Sequence, residues 1–178
     1  MGDVITAPAQ FAKGWKGGLP ETLCGAGSTL ANTKAQRKWL AKLISELGIT
    51  SIVDIGAGDL NWIKHINLDG VEYIPLDLYP RMPEVQRFDL VREVPPRADM
   101  LLCLWVLSHL PIEDCQRAIE NLKASGAEWL LMTDRPRWHG EQPPEIRMEA
   151  QEELLLNPKT GDRIILVHLN PPAIEDAE

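Results

Sequence analysis

The stretch of sequence that decides the fold is SIVDIGAGD, Ser51–Asp59. Its first part, Ile52–Ile55, is a short run that is apolar apart from Asp54, and it predicts a buried β-strand. The glycines that follow permit a tight turn and a close approach of the backbone to a ligand. Ligands of open α/β sheets bind at the carboxyl ends of the strands. The sequence therefore predicts a ligand-binding loop at Gly56–Gly58.

Helical periodicity lies on both sides of this loop. One apolar stripe of an amphipathic helix precedes the strand, and it comprises Trp39, Leu40, Leu43, Ile44 and Leu47. Gly48 follows this stripe, where a helix commonly ends in a left-handed residue. The spacing of Leu60, Ile63 and Ile66 predicts a second helix directly after the glycine loop.

Further apolar runs predict the rest of a sheet. They are Val71–Leu76 ending at Asp77, a short strand near Phe88 and Leu90, the central run Met100–Leu107, Trp129–Met132, and a terminal hairpin of Glu153–Leu156 and Arg163–Leu169. A helix from Pro111 to Gly126 is expected to bury Cys115, Ala118, Ile119 and Leu122. Strands that alternate with helices indicate a parallel sheet covered on both faces, and the hairpin adds an antiparallel edge.

Composition bounds the function. The chain has 178 residues, enough for one domain, and a net charge of -8. An acidic protein repels nucleic acid at long range, so a small-molecule substrate is favoured over a nucleic acid. The three cysteines lack metal-site spacing, and we expect neither a metal nor a disulfide. No signal-peptide pattern or membrane-span candidate appears, and a cytoplasmic location is expected.

Two cofactor classes pair a glycine loop with an acidic residue at the end of the next strand, here Asp77. A dinucleotide fingerprint is GxGxxG or GxGxxA, whereas this chain has Asn61 at the last position. Asp59, next to the loop, would repel a pyrophosphate and is compatible with the ammonium of a methionine moiety. The pattern thus favours an S-adenosyl cofactor and leaves NAD as the alternative.

The ordered motifs resemble those of class I S-adenosylmethionine (SAM)-dependent methyltransferases. They are VDIGAGD, YIPLDLYP, FDL, DMLLCLWVLSHLP and WLLMTD, between residues 51 and 134. The segment GAGSTLANTKAQRKWL is similar to one in small bacteriophage and bacterial methyltransferases. The resemblance implies an α/β fold, a doubly wound, mostly parallel seven-stranded sheet with an antiparallel C-terminal hairpin strand. It also implies SAM as methyl donor and S-adenosylhomocysteine (SAH) as product.

The resemblance also implies a role for each motif residue. Asp54, Gly56, Ala57 and Gly58 would line the methionine part of the cofactor, with Asp59 and Trp62 beside it. Asp77 would bind the ribose hydroxyls and Leu78 would contact the adenine. The remaining predicted cofactor residues are Asp89 and Leu90 at the adenine and Leu104 and Trp105 at the sulfonium.

Catalytic residues are harder to predict, because positioning alone can accelerate methyl transfer. His109, after the fourth strand, is the candidate general base. The residues after the fifth strand are candidates for an acceptor pocket, and a surface loop explains them equally well; they are Asp134, Arg135, Arg137, Trp138 and His139. The fourth strand is followed by SHLP rather than the amino-methyltransferase signature of Asn or Asp, two prolines and an aromatic residue, and no Pro-Cys nucleophile occurs. Base methylation of these types is therefore disfavoured.

The expected organisation is an irregular arm over residues 1–27, a single Rossmann-like methyltransferase domain over 28–170, and an acidic tail over 171–178. Three alternatives to a methyltransferase stay open. The first is an NAD-dependent oxidoreductase, the second is a non-catalytic SAM-binding or regulatory module, and the third is an enzyme that binds SAM but consumes it differently, for instance by degrading it. The methyl acceptor and the oligomeric state are not predicted by the sequence.

Overall fold

The computed structural model describes residues 19–134, 148–157 and 162–169. The strands are β1 (Ser51–Ile55), β2 (Glu72–Asp77), β3 (Gln86–Arg87), β4 (Met100–Cys103), β5 (Trp129–Asp134), β6 (Glu152–Asn157) and β7 (Asp162–His168). They form one seven-stranded sheet in the order β3-β2-β1-β4-β5-β7-β6. The first five pair in parallel, and β7 is antiparallel to both of its neighbours. The predicted sheet, with its C-terminal hairpin, is confirmed.

Two α-helices cover opposite faces of the sheet, α1 (Lys34–Glu46) and α2 (Ile112–Ala124). Successive residues of a strand point to opposite faces. Thus Ile52 of β1 belongs to the same buried cluster as Leu40 and Leu43 of α1. Val53, the next residue of β1, packs in the cluster on the α2 side. The sheet is consequently sandwiched between two apolar layers, as its continuously apolar strands predict.

Both α-helices end where the sequence predicts. Gly48 follows α1 with φ +63°, and Gly126 follows α2 with φ +74°, a backbone conformation that glycine adopts without steric cost. The predicted inward residues of α2 are all buried, namely Cys115, Ala118, Ile119 and Leu122. At the start of α1, the Thr33 hydroxyl donates to the carbonyl of Thr29 at 2.8 Å and does not cap the helix.

The helix predicted after the glycine loop is wrong. The described residues between β1 and β2 contain a single 3-10 turn, Ile63–His65, and no α-helix. Leu60 has φ +60°, outside the helical region, and Ile66 is extended with φ -109° and ψ 138°. Leu60, Ile63 and Ile66 are nevertheless buried. Their spacing therefore predicted their burial correctly, although the predicted α-helix does not form.

Two strands differ from the predicted bounds. The central strand β4 ends at Cys103 instead of Leu107, because Trp105 has φ +62° and turns the chain away from the sheet. The third strand is Gln86–Arg87, just before Phe88. Residues 158–161 of the predicted hairpin turn, residues 1–18 of the arm and the acidic tail lie outside the described residues.

The topology fixes where a ligand can bind. Strand order reverses between β1 and β4, since β2 follows β1 on one side and β4 lies on the other. Crevices at such switch points, outside the carboxyl ends of the strands, are the usual ligand sites of open α/β sheets. Within the described part of the chain, no helix has the length and apolarity needed to cross a membrane.

Candidate cofactor site

A cavity of about 390 Å³ lies at the carboxyl ends of the parallel strands, and this size falls in the range of small-molecule sites. All thirteen sequence-predicted site residues line it. They are Asp54, Gly56, Ala57, Gly58, Asp59, Trp62, Asp77, Leu78, Asp89, Leu90, Leu104, Trp105 and His109. Residues that are far apart in the chain are thus brought together on one concave surface.

The glycine loop follows β1 in left-handed conformations, with φ +81° at Gly56 and +61° at Gly58. The amides of Gly56 and Ala57 both donate to the carbonyl of Leu76, at 2.8 and 3.0 Å. A Cβ atom at Gly56 would overlap the side chain of Val106. The loop therefore requires glycine both for its backbone angles and for its packing.

Asp77 ends β2 beside this loop. One carboxylate oxygen accepts from the amide of Gly58 at 3.0 Å, and the other accepts from the amide of Tyr79 at 2.8 Å. Burial raises the pKa of this carboxyl, against the opposing effect of the two backbone hydrogen bonds. A carboxylate offers about four lone-pair positions, so each oxygen can accept one more hydrogen bond from a ligand. The two amides fix the orientation of the carboxylate at the cavity.

Asp54 lies deeper, within β1, and is 4% exposed. The hydroxyl of Tyr73 on β2 donates to its carboxylate at 2.5 Å. Burial raises the pKa of Asp54 to about 7, and the nearby Asp77 charge adds to the rise while the Tyr73 hydrogen bond opposes it. This carboxyl group can therefore change its charge near neutral pH at the base of the cavity.

Asp59 binds protein groups that the sequence did not reveal. One oxygen accepts from the hydroxyl of Thr22 at 2.7 Å and from the amide of Leu23 at 2.6 Å. Partial burial acts to raise the pKa of Asp59, but these hydrogen bonds and that of the Asn61 amide lower it overall. The carboxylate predicted to meet a ligand ammonium thus anchors an upstream segment to the glycine loop.

Asn61 anchors the same segment, residues 21–30, which we name the N-terminal strap. Its side-chain amide donates to the carbonyl of Ser28 at 2.9 Å and to the carboxylate of Glu21 at 3.0 Å. The strap also contacts the loop through Cys24, whose sulfur would lie 2.6 Å from a Cβ atom at Gly58. In the sequence, Asn61 served only as evidence against a dinucleotide motif. In the structure, its side chain hydrogen-bonds the strap and attaches it to the glycine loop.

The strap forms a wall of the cavity that sequence reasoning missed. Its contribution runs continuously over residues 23–28. The sequence GAGS at positions 25–28 was the available signal, because closely spaced glycines allow backbone to approach a ligand. Gln36 of α1 and Arg81, after β2, also line the cavity and were not predicted.

The far end of the cavity, after β3, is apolar with one acidic group. Asp89 and Leu90 are 6% and 5% exposed. The Asp89 carboxylate accepts from the amide of Val91 at 3.1 Å, and the carbonyl of Leu90 accepts from the side chain of Asn121 at 2.8 Å. These contacts hold the segment in place, as a flat heterocyclic ligand with a polar edge would require.

The exit of β4 forms the remaining side. Trp105 adopts its left-handed backbone with its amide donating to the hydroxyl of Thr133 at 2.9 Å. Such strain in a residue other than glycine costs about 1–3 kcal/mol and clusters at functional sites. His109 follows in the 3-10 turn Leu107–His109 and is half-buried at the cavity.

Of the residues considered for an acceptor pocket, only Asp134 lies among those described. It is absent from the cavity lining, and its carboxylate binds the guanidinium of Arg163 at 2.8 Å. Arg135, Arg137, Trp138 and His139 lie outside the described residues.

Several solved structures share this architecture. Magnesium protoporphyrin IX methyltransferase from Synechocystis, with SAM bound, superposes with a TM-score of 0.61 at 15% identity, over 78% of this chain and 80% of that one. The N-methyltransferase NodS from Bradyrhizobium japonicum, in complex with SAH, gives 0.60 at 13% identity, over 82% and 91%. Mitomycin 7-O-methyltransferase gives 0.54 at 16% identity, over 76% and 53%. The chain has the class I methyltransferase fold.

At the level of sequence, no family model and no curated protein matches this chain. The likeness is thus one of architecture, and the arguments for function come from the cavity residues themselves.

Proposed function

We propose that this chain is a SAM-dependent methyltransferase that acts on a small-molecule acceptor. The observation that carries the proposal is the placement of Asp77. It lies at the end of β2 with its carboxylate oriented by the amide of Gly58, in the cavity beneath the glycine loop. The Asp77 carboxylate can then accept hydrogen bonds from both ribose hydroxyls. In the same cavity, the backbone of the glycine loop can lie against the methionine chain.

The residues present fit this cofactor along its whole length. Asp77 retains lone pairs for the ribose hydroxyls, and Asp89 lies among apolar residues that suit an adenine ring. Gly56 and Gly58 line the cavity with backbone at the proposed methionine chain, and Leu104 and Trp105 lie at the sulfonium end. When bound, SAM supplies an electrophilic methyl group on a cationic sulfur. The task of the chain is to orient that group toward the acceptor and to exclude water.

The structure gives a reason to prefer SAM over NAD. A dinucleotide pyrophosphate is bound at the N-terminus of the α-helix that follows the glycine loop. Here the described residues 56–71 form no α-helix, and the Asp59 carboxylate stands beside the loop. A pyrophosphate at this position would be repelled by the Asp59 carboxylate and would not be stabilised by a helix dipole.

Calorimetric titration tests the choice of cofactor. We expect SAH to bind and NAD and NADH to produce no heat of binding. Tight NAD binding without a response to SAH would overturn the proposal. Turnover of labelled SAM, with transfer of the label to an acceptor, separates an enzyme from a non-catalytic SAM-binding module, because the module would bind SAH equally well.

The acceptor is inferred to be a small molecule from charge and from structural likeness. The net charge of -8 disfavours a polyanionic acceptor. Two of the similar structures are, by their names, methyltransferases of magnesium protoporphyrin IX and mitomycin. Mass spectrometry after incubation of the protein and labelled SAM with separate metabolite, nucleic-acid and protein fractions would identify the labelled class. Label confined to nucleic acid would contradict the inference.

We also propose His109 as the general base that accepts a proton from the acceptor nucleophile. It lies at the exit of β4, on the cavity side where Leu104 and Trp105 would flank the sulfonium. General-base catalysis contributes about 10²–10⁴-fold to rate, so His109→Ala should lower kcat by that order. SAH affinity should be unchanged. Loss of SAH binding in a folded variant would instead assign His109 a structural role.

The finer expectations rest on the sequence. The segment Gly25–Leu40, GAGSTLANTKAQRKWL, supports a small bacteriophage or bacterial type of methyltransferase. The domain division at residue 28 and the cytoplasmic location are retained as proposals. Deletion of residues 1–27 tests the division. A domain bounded at residue 28 should keep its fold without the arm, and its SAH affinity should fall because residues 23–27 line the cavity. Loss of the fold would contradict the division.

A further inference from the structure

Gln36 lies on the buried face of α1 near the carboxyl edge of the sheet. The buried residues of this helix are Gln36, Leu40 and Leu43. The short link over residues 47–50 joins α1 to β1, and the helix packs on the sheet through Leu40 and Leu43. The helix must therefore run back along the strands. Its first turn, which carries Gln36, is placed at the ligand-binding edge.

The side-chain amide of Gln36 has no hydrogen-bond partner among the residues that the structure describes, although the residue is only 5% exposed. An unpaired polar group of this kind costs about 1–3 kcal/mol when it is sealed in the protein. Among the described residues, the only fully enclosed side-chain polar atom that lacks a partner is Nε of Arg37. The Gln36 amide thus retains access to solvent, and Gln36 lines the cavity. It is a buried polar group open to a ligand.

The surroundings of α1 indicate which part of the ligand it meets. Leu40, one turn along from Gln36, shares a buried cluster with Ala57 of the glycine loop and Leu104 at the end of β4. Phe88 and Leu90, at the proposed adenine end, belong to the cluster on the other face of the sheet. Gln36 therefore lies toward the methionine end of the cavity, where Asp59 is already occupied by the strap.

We propose that Gln36 binds the amino-acid end of the cofactor, an assignment that rests on the proposed function. A glutamine amide carries both donors and an acceptor. Its Nε2 can donate to the cofactor carboxylate, and its Oε1 can accept from the ammonium. Either contact would satisfy the amide that the described residues leave unpaired.

Two ligands that differ only at this end test the assignment. SAH carries the amino acid, and 5′-methylthioadenosine lacks it. Gln36→Leu should weaken SAH binding by about 10- to 100-fold, the equivalent of a lost hydrogen bond to a charged group. Gln36→Glu should weaken it further if the carboxylate contact dominates. Binding of 5′-methylthioadenosine should be unchanged in both variants.

Gln116→Leu is the matched control, since Gln116 is a half-buried glutamine of α2 that does not line the cavity. Equal losses for both ligands in Gln36→Leu would overturn the proposal and assign Gln36 a structural role. Unchanged SAH affinity with reduced turnover would overturn it in favour of an acceptor contact. If wild-type protein bound neither ligand, the proposed function itself would fail. These outcomes are distinguishable, and Gln36→Glu supplies a second variant if the leucine variant fails to fold.

Discussion

Two walls enclose the cavity, and they are built on different principles. The strand-end wall consists of loops that leave β1, β2 and β4, so the sheet fixes its backbone through ladder hydrogen bonds. The strap wall, residues 23–28, precedes the first α-helix and has no sheet to hold it. It is held by the side chains of Asp59 and Asn61. One wall is rigid through backbone pairing, and the other is tied by a few polar side chains.

Two carboxyl groups, one in the strand-end wall and one bonded to the strap, have pKa values shifted in opposite directions. Asp54, enclosed within β1, has its pKa raised to about 7 by burial. Asp59, five positions along, has its pKa lowered because donors from the strap outweigh its partial burial. The first group resists ionisation, whereas the second is needed in its ionised form. Opposite shifts in one site are typical of functional centres.

The largest expected effect comes from the rigid wall. Gly56→Ala places a Cβ atom against Val106 at a residue with φ +81°. Left-handed strain and overpacking together should lower the free energy of unfolding by about 2–4 kcal/mol. Gly27→Ala is the control in the strap wall, since a Cβ atom there has no neighbour within 4 Å. Urea unfolding measures both, and equal stabilities would contradict the contrast between the walls.

Asp77→Ala tests ligand binding by the rigid wall. Loss of a charged acceptor should weaken SAH binding by about 1.5–3 kcal/mol, because the ribose hydroxyls would lose their partner. The Gly58 and Tyr79 amides would also lose theirs, so the thermal stability of the variant must be recorded alongside. Isothermal titration of the folded variant provides the measurement. Wild-type affinity would refute the ribose assignment.

Asp59→Ala tests the tie between the walls. Removal of the acceptor for Thr22 and Leu23 should lower the free energy of unfolding by about 1–3 kcal/mol, because the hydroxyl of the buried Thr22 loses its acceptor. Hydrogen exchange at the Leu23 amide should accelerate, and SAH affinity should fall less than in Asp77→Ala. Asp69→Ala is the control, because Asp69 is exposed and lies outside the cavity. Unchanged exchange at Leu23 would show that the strap is held by other contacts.

The smallest effect concerns the pH dependence of Asp54. Its raised pKa favours the protonated carboxyl in the folded state. Its contribution to stability is thus complete below the ordinary value of 3.8 and is lost as pH rises through about 7. Tyr73→Phe removes the hydrogen bond that favours ionised Asp54, which should raise the pKa of Asp54 further.

This variant should lose about 1 kcal/mol, and the loss should grow as pH rises through neutrality. Urea unfolding of wild type and variant across pH gives the comparison. A pH-independent difference would show that Tyr73 does not act through the charge of Asp54. Asp54→Asn, which cannot ionise, should abolish the decline that is assigned to this residue.

The sequence predicted most of the strand-end wall because its signals are local. Apolar runs mark the strands, and the residue that ends each parallel strand reaches the same edge of the sheet. Asp54 and Asp77 could therefore be placed at one cavity from the strand pattern, whereas Asp89 was placed there by the family resemblance. Their assignment to parts of the cofactor came from the family resemblance and remains a proposal.

The sequence by itself determined the sheet, both α-helix ends and the position of the cavity, because periodicity and glycine placement are properties of short segments. Only the tertiary structure decided the second wall. Asp59 and Asn61 meet Thr22 and Ser28 across more than thirty positions, and no local pattern encodes such a contact. The same limit applies to the segment at Ile63, where the apolar spacing predicted burial correctly but could not show that Leu60 is left-handed and that no α-helix forms.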